Sequence, residues 1–204
     1  MGSLNILEAS KVLRNKCSIV MITTDKVYKN NEWGYGYREN DELGGYDPYS
    51  ASKAATEIAI KSWRSSFCNE MAYQNLNISS ARSGNVIGGG DWAEDRILPD
   101  IVNALSERKK IFIRNPSSSR PWQHVLEPID GYLKLAEIIY KGTYSSDYEA
   151  FNFGPNISDN KTVLELVQEV IKSWPGDWEK ITNNNLHEAT NLHLQNVKAY
   201  KLLG

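Results

Sequence analysis

The feature that most constrains the fold is the run Ser18-Ile19-Val20-Met21-Ile22, apolar without a break after its first residue, which stops at Thr23-Thr24-Asp25-Lys26. A strand with one wet face alternates apolar and polar residues. A continuous run fits a parallel strand buried on both faces. Parallel neighbours are joined by crossovers, usually helical, so the run points to an α/β chain. In open α/β sheets ligands bind just beyond the carboxyl ends of the strands. The Thr-Thr-Asp-Lys cluster stands at that place.

The next signal is Asp47-Pro48-Tyr49-Ser50-Ala51-Ser52-Lys53. Asp47 can accept hydrogen bonds from the free amides of a first helical turn. Pro48 suits the first helical position, where its missing N–H has no partner to lose. The helix is expected to start at Pro48 and reach about Phe67, with Ala51, Ala55, Ile58, Ala59 and Ser62 toward the sheet. Tyr49 and Lys53 then lie one turn apart on one face. A free tyrosine is a poor base near neutral pH, and an ammonium beside it favours the phenolate and makes it a working acid–base group. Taken alone, Y-x-x-x-K is more often an ordinary surface pair, because short motifs arise by chance. The polar cluster that ends the preceding strand shifts that balance.

Around these two stretches the chain reads as alternating elements. Residues 3–14 form a helix with Leu4, Leu7 and Val12 on one stripe. The loop from Lys29 to Tyr46 is long enough to suggest a function. Residues 76–82 form the next strand, and a second strand–helix unit argues for a doubly wound parallel sheet. After Gly90 the spacing predicts a smaller α/β lobe. It has a helix near Leu98-Pro99 with Ile101 and Leu105 inward, a strand at Ile111–Arg114 and a turn over 115–119. A helix from Pro128 to Tyr140 and a strand from Tyr148 to Phe153 follow. Thr162 and Glu165 form a capping box for a helix over Val163–Trp174 with Leu166, Val167, Val170 and Ile171 inward, and a short helix covers Gln195–Leu203.

Charge is nearly balanced, 23 Lys and Arg against 25 Asp and Glu. No polyanion-binding surface is advertised, so nucleic acid is not an expected partner. With no long apolar run and no signal peptide, no membrane association is expected either. The location reads as cytoplasmic, with Cys17 and Cys68 reduced. His124, His187 and His193 lack the spacing of a zinc site, so no metal is expected. Gly88-Gly89-Gly90-Asp91-Trp92-Ala93 fits a permissive G-x-G-x-x-A pattern, but no helix opens on it and Arg114 stands where an acid is required. It reads as a loop at the lobe boundary. Trp33 in the long loop is a candidate to pack on a ligand. Arg82, Arg96, Arg114 and Arg120 are surface charges by default, although Arg120, followed by Pro121-Trp122, suits a bidentate grip on phosphate.

The combination of Thr24-Asp25-Lys26-Val27-Tyr28, Gly44-Gly45-Tyr46-Asp47-Pro48-Tyr49-Ser50-Ala51-Ser52-Lys53 and Gly84-Asn85-Val86-Ile87-Gly88-Gly89-Gly90-Asp91-Trp92 resembles the extended short-chain dehydrogenase/reductases. Arg120-Pro121-Trp122-Gln123-His124-Val125 and Phe151-Asn152-Phe153-Gly154-Pro155 extend the likeness over essentially the whole chain. Within that family the match is to the CDP-glucose 4,6-dehydratase branch, and Lys26 is the mark, since dTDP-glucose relatives usually carry Glu there. The resemblance implies a Rossmann-type doubly wound sheet, partial because the family's glycine-rich N-terminal half has no counterpart here. Residues 1–90 would be the NAD-binding part with the catalytic residues, and 91–204 mainly a nucleotide-sugar lobe.

The resemblance also implies roles. Tyr49, helped by Lys53 and Thr24, takes the proton of the sugar 4-hydroxyl while NAD accepts hydride from carbon 4. Asp25 and Lys26 then serve as acid and base for loss of water across carbons 5 and 6. Lys26 is the candidate base, although an adjacent Asp–Lys pair titrates as a unit and leaves the assignment open. Hydride returns to carbon 6. Tyr49, Lys53 and Ser83 are expected to hold the cofactor. Asn85, Arg96, Arg120 and Asn152 are expected to hold the nucleotide sugar, CDP-glucose. A homodimer through the first helix and the Tyr49 helix is expected. Without the glycine-rich half the chain alone is expected to be inactive. A non-catalytic remnant, or an epimerase or reductase of the same fold, is the alternative.

Overall fold

The computed structural model describes residues 1–68, 75–142, 149–181 and 191–204. In chain order it contains α1 (Gly2–Ser10), β1 (Cys17–Ile22), a 3-10 turn (Asp25–Val27), α2 (Pro48–Phe67), β2 (Leu76–Ser83), β3 (Val86–Ile87), α3 (Ile97–Ser106) and β4 (Ile111–Ile113). Then come β5 (Ser119–Arg120), β6 (Gln123–His124), α4 (Leu126–Lys141), β7 (Ala150–Phe153), β8 (Lys161–Thr162), α5 (Val163–Ser173), β9 (Trp178–Lys180) and α6 (Val197–Leu203). Tyr148 and His187, singled out in the sequence, lie outside the described residues.

The frame is a parallel sheet in the order β1-β2-β7. Cys17 lies opposite Leu76 and Ile22 opposite Ala81, while Ser80 lies opposite Ala150 and Ser83 opposite Phe153. Side chains alternate across a strand. Cys17, Ile19, Met21, Leu76 and Ile78 therefore pack on α1 and α2, around Leu7, Ile60 and Trp63. Val20, Ala81, Phe151 and Phe153 pack on Leu135 and Ile139 of α4, closed by Ala199 and Leu202 of α6. Helices on both faces make the doubly wound α/β sheet that the sequence predicts.

Among the described residues the strands buried along their whole length are β2 and β7, not β1. β1 lies at an edge of the sheet and is half-buried. β2 sits between two partners and buries Leu-Asn-Ile-Ser-Ser-Ala-Arg-Ser because its polar side chains find hydrogen bonds inside. The face expected for α2 is also corrected. Ser50, Ala54, Glu57, Ile60, Trp63 and Arg64 are buried, while Ala51, Ala55, Ile58 and Ser62 are exposed. Apolar content misleads there, because two charged residues point inward and an alanine strip points out. α1 ends at Ser10, whose hydroxyl donates to the Leu7 carbonyl at 2.6 Å. Of its predicted stripe only Leu7 is buried, and Val12 lies beyond the helix, exposed.

The capping expectations hold. Asp47 Oδ1 accepts from the Ser50 amide at 2.9 Å, and Thr162 and Glu165 cap α5 reciprocally. In the second half α3, β4 and α5 enclose their own core of Ile101, Leu105, Ile111, Ile113, Val163 and Val167, and β9 pairs with β4 at its exposed edge. α4, β7 and α6 return to the first sheet, so the chain crosses between the two cores more than once. The loop before α2 has a core as well, in which Tyr28 stacks on Tyr37 with ring centroids 5.1 Å apart. Trp33 packs there on Tyr37, at 5.5 Å.

Candidate active site

β1 delivers Thr23 and Thr24 to the carboxyl edge of the sheet, and the 3-10 turn then directs Asp25 inward and Lys26 outward. Thr24 Oγ1 donates to Asp25 Oδ1 at 3.0 Å and accepts from the Lys26 amide at 3.4 Å. Asp25 is buried, and its Oδ2 has no hydrogen-bond partner. Burial pushes its carboxyl above the usual range, against the Thr24 hydrogen bond and the charges of Lys26 and Arg120. The group is thus biased to hold a proton, as an acid must. Lys26 is exposed, and its charge is felt at Asp47, whose carboxyl lies below the usual range chiefly through its hydrogen bonds to Ser50.

Tyr49 sits in the first turn of α2, 51% exposed. The loop before it reaches the helix closely: a Cβ on Gly45 would come within 2.1 Å of the Ala51 nitrogen. The Lys53 ammonium lies 5.9 Å from the centroid of the Tyr49 ring. Thr24, Asp25, Lys26 and Tyr49 line one cleft of about 1360 Å³, together with Ser83, Asn85, Arg96 and Arg120. That volume exceeds the roughly 300–1,000 Å³ of an ordinary small-molecule site. Ser83 Oγ lies 2.5 Å from the Tyr132 hydroxyl at the end of β2. Asn85 holds a left-handed φ of 49°, Arg96 is the N-cap of α3, and Arg120 is buried with Nη1 donating to the Ser119 carbonyl at 2.8 Å. Arg114 lines the cleft as well.

Two expectations are corrected. Asn152, expected to hold substrate, is fully buried away from the cleft. Its amide donates to the Tyr37 and Gln195 carbonyls at 2.8 and 3.2 Å, and its Oδ1 accepts from Tyr28 at 2.6 Å. Both amide hydrogens are taken and Oδ1 already accepts one bond, all inside the core. Arg82, read by default as a surface charge, is buried and paired with Glu57 at 2.8 Å. Glu57 was not singled out in the sequence. The signal available was the four-residue spacing Tyr49, Lys53, Glu57 along one helix. Lys53 itself does not line the cleft. Among the described residues no group of three His, Cys, Asp or Glu side chains could hold a metal ion, and no helix is long and apolar enough to cross a membrane.

A doubly wound parallel sheet, with a Tyr-x-x-x-Lys helix beside a polar cluster at the carboxyl ends of its strands, defines a Rossmann-type member of the short-chain dehydrogenase/reductases. The model of the GDP-mannose 4,6 dehydratase family matches residues 1–191, and the chain belongs to that family. It is 46% identical to the CDP-glucose 4,6-dehydratase of Salmonella typhimurium over 100% of this chain and 58% of that protein. It is 26% identical to a dTDP-glucose 4,6-dehydratase of Mycobacterium tuberculosis, over 92% of this chain and 53% of that protein. The chain thus spans little more than half the length of these relatives. Among solved structures it superposes on Bacillus anthracis dTDP-glucose 4,6-dehydratase in complex with NAD (TM-score 0.77, 21% identity, 98% of this chain and 60% of that one). It also superposes on Bacillus cereus UDP-glucuronic acid 4-epimerase with UDP-glucuronic acid and NAD (TM-score 0.79, 18% identity, 98% and 59%). At these identities the likeness is one of fold.

Proposed function

We propose that the chain carries the chemistry of a nucleotide-sugar 4,6-dehydratase acting on CDP-glucose. The observation that carries this reading is the meeting of Tyr49 with Thr24, Asp25 and Lys26 in one cleft. The 46% identical relative is a CDP-glucose 4,6-dehydratase, which supports the choice of substrate. Half-exposed Tyr49 and the held Ser83 hydroxyl fit the nicotinamide end of NAD, with the Lys53 ammonium 5.9 Å from the Tyr49 ring centroid. NAD, when bound, supplies a hydride acceptor and donor.

Tyr49 takes the proton of the 4-hydroxyl, with Thr24 and Lys53 orienting the donor and the phenol. The ketone at carbon 4 acidifies the hydrogen on carbon 5. Exposed Lys26 removes that proton, and Asp25, which burial biases toward the protonated form, delivers its own to the departing 6-hydroxyl. Arg96, Arg120 and Asn85 hold the nucleotide diphosphate, two of them as planar cations suited to phosphate. Residues 1–90 then serve mainly the cofactor and chemistry, and 91–204 mainly the nucleotide sugar. The outward strip Ala51, Ala55 and Ile58 of α2, with Leu4 and Ile6 exposed on α1, suits a homodimer through these helices. The free thiols of Cys17 and Cys68 suit the cytoplasm.

Because the chain spans 58% of the Salmonella relative, activity is tested in a chimera in which residues 1–204 replace the matching segment of that protein. Supplied with NAD and CDP-glucose, the chimera should form a 4-keto-6-deoxy sugar. The same chimera carrying Tyr49→Phe should not. Equal turnover by both would remove Tyr49 from the reaction.

A further inference from the structure

We infer that Glu57 and Arg82, which do not line the cleft, are positioning residues that hold the Tyr49 helix in register with the Asp25–Lys26 turn, and that this register couples oxidation at carbon 4 to loss of water. The inference rests on the dehydratase reading above. Glu57 lies two turns after Tyr49 on α2 and is buried. Its Oε1 accepts a short hydrogen bond from Thr23, the residue before Thr24. Its Oε2 accepts from Ser80 Oγ at 2.7 Å and from Arg82 Nη2 at 2.8 Å. Arg82 Nη1 donates to the Tyr28 hydroxyl at 2.8 Å and to the Glu39 carbonyl at 2.9 Å. Tyr28 closes the 3-10 turn and donates in turn to Asn152 of β7.

One connected set of bonds therefore reaches α2, the end of β1, the catalytic turn, β2 and β7. Several of these bonds are charge-assisted, and such bonds are shorter and stronger than neutral ones. Apolar packing between this end of α2 and the turn is small, limited to Ala54 beside Val27 and Tyr28. Between Tyr49 and Glu57 the helix buries only Ser50 and Ala54, while the large side chains Ile60 and Trp63 lie beyond. With the network cut, one alanine contact is what remains to hold the first turns of α2 against the turn. A displacement of about 1 Å can cost roughly a hundredfold in rate.

The test is Glu57→Gln, with Tyr28→Phe beside it, in the chimera. For each variant, oxidation at carbon 4 and completed elimination are counted on the same sample, and the KM for CDP-glucose is measured. Glu57→Gln is expected to lower kcat at least tenfold with KM within threefold, and to lower the fraction of oxidised sugar that completes elimination at least fivefold. Tyr28→Phe keeps the ion pair and cuts the arm to the turn together with the bond from Tyr28 to Asn152. It is expected to lower that fraction while leaving oxidation within threefold. A chain that is merely less folded loses both steps in proportion, so a wild-type fraction in both variants overturns the proposal. If the unsubstituted chimera does not oxidise carbon 4, the dehydratase reading fails instead. Amide exchange in the 204-residue chain then decides. Faster exchange at residues 25–28 together with 49–53 in Glu57→Gln supports the linkage, and a change confined to either segment overturns it.

Discussion

Gly84 lies directly against the buried carboxyl of Asp25: a Cβ at Gly84 would come within 1.8 Å of Oδ2, the oxygen with no hydrogen-bond partner. The end of β2 thus fixes where the proposed acid stands. Gly84→Ala has to displace Asp25, and overpacking of this kind costs about 1–3 kcal/mol of stability. The elimination step should fall well beyond what that loss explains, with oxidation at carbon 4 within a few-fold of normal. Separate rates for the two steps, alongside a denaturation midpoint, check this.

Asp25→Asn should trade function for stability. Burial raises the carboxyl, so its protonated form suits the fold. Below the unfolded carboxylate range both states hold the proton and the native state keeps its full advantage. As pH rises through the raised folded value, the buried group must ionise and that advantage is lost. The amide does not titrate. The variant should therefore be more stable than the parent at about pH 8, by on the order of 1 kcal/mol or about 2–4 °C in Tm, with the gap closing toward about pH 4. Elimination should be abolished. Thermal melts across that range give the sign directly.

Asn152 and Arg120 should part company. Asn152→Ala removes the partner of Tyr28 and of two carbonyls inside the core, and should cost about 2–4 kcal/mol while leaving the KM for CDP-glucose near normal. Arg120→Lys keeps the charge in the cleft but loses the planar fork, and should raise KM about tenfold or more with kcat less affected. Urea titrations and steady-state kinetics on the two variants separate a structural residue from a ligand residue.

Local features were easier to read in the sequence than burial. Asp47 and Pro48 place the start of α2, and Thr162 with Glu165 the start of α5, because a cap is written in adjacent residues. The Thr24-Asp25-Lys26 cluster and Tyr49 meet in the cleft because strand ends and first helical turns are local geometry. Which face of α2 turns inward is not local. It depends on Glu57 finding Arg82, 25 residues away in the chain, and such pairs are invisible to apolar periodicity. The same reason hid the burial of β2, whose Ser80 and Arg82 find partners distant in the chain, and left Asn152 looking like a ligand residue. The pairings β3–β6, β5–β8 and β4–β9 involve two or three residues per strand, too few to leave a pattern.

Tyr49→Phe removes one oxygen at a half-exposed position, so stability should change by less than about 0.5 kcal/mol. Oxidation at carbon 4 should fall by roughly 10²–10⁴-fold, the span of a general base. Adding Lys53→Met should lower it little further, because residues acting as a unit are strongly non-additive. Single-turnover rates on Tyr49→Phe, Lys53→Met and the pair test this, and additive losses would separate the two residues.

The most direct measurement follows two labelled hydrogens. CDP-glucose carrying deuterium at carbon 4 and tritium at carbon 5 is turned over by the chimera with NAD in ordinary water. If Tyr49, Asp25 and Lys26 act as proposed, the deuterium moves within the molecule to carbon 6 of a 4-keto-6-deoxy product, and carbon 5 takes its hydrogen from solvent. A product that keeps its 6-hydroxyl with carbon 4 inverted, or that retains the original hydrogen on carbon 5, would contradict the dehydratase reading.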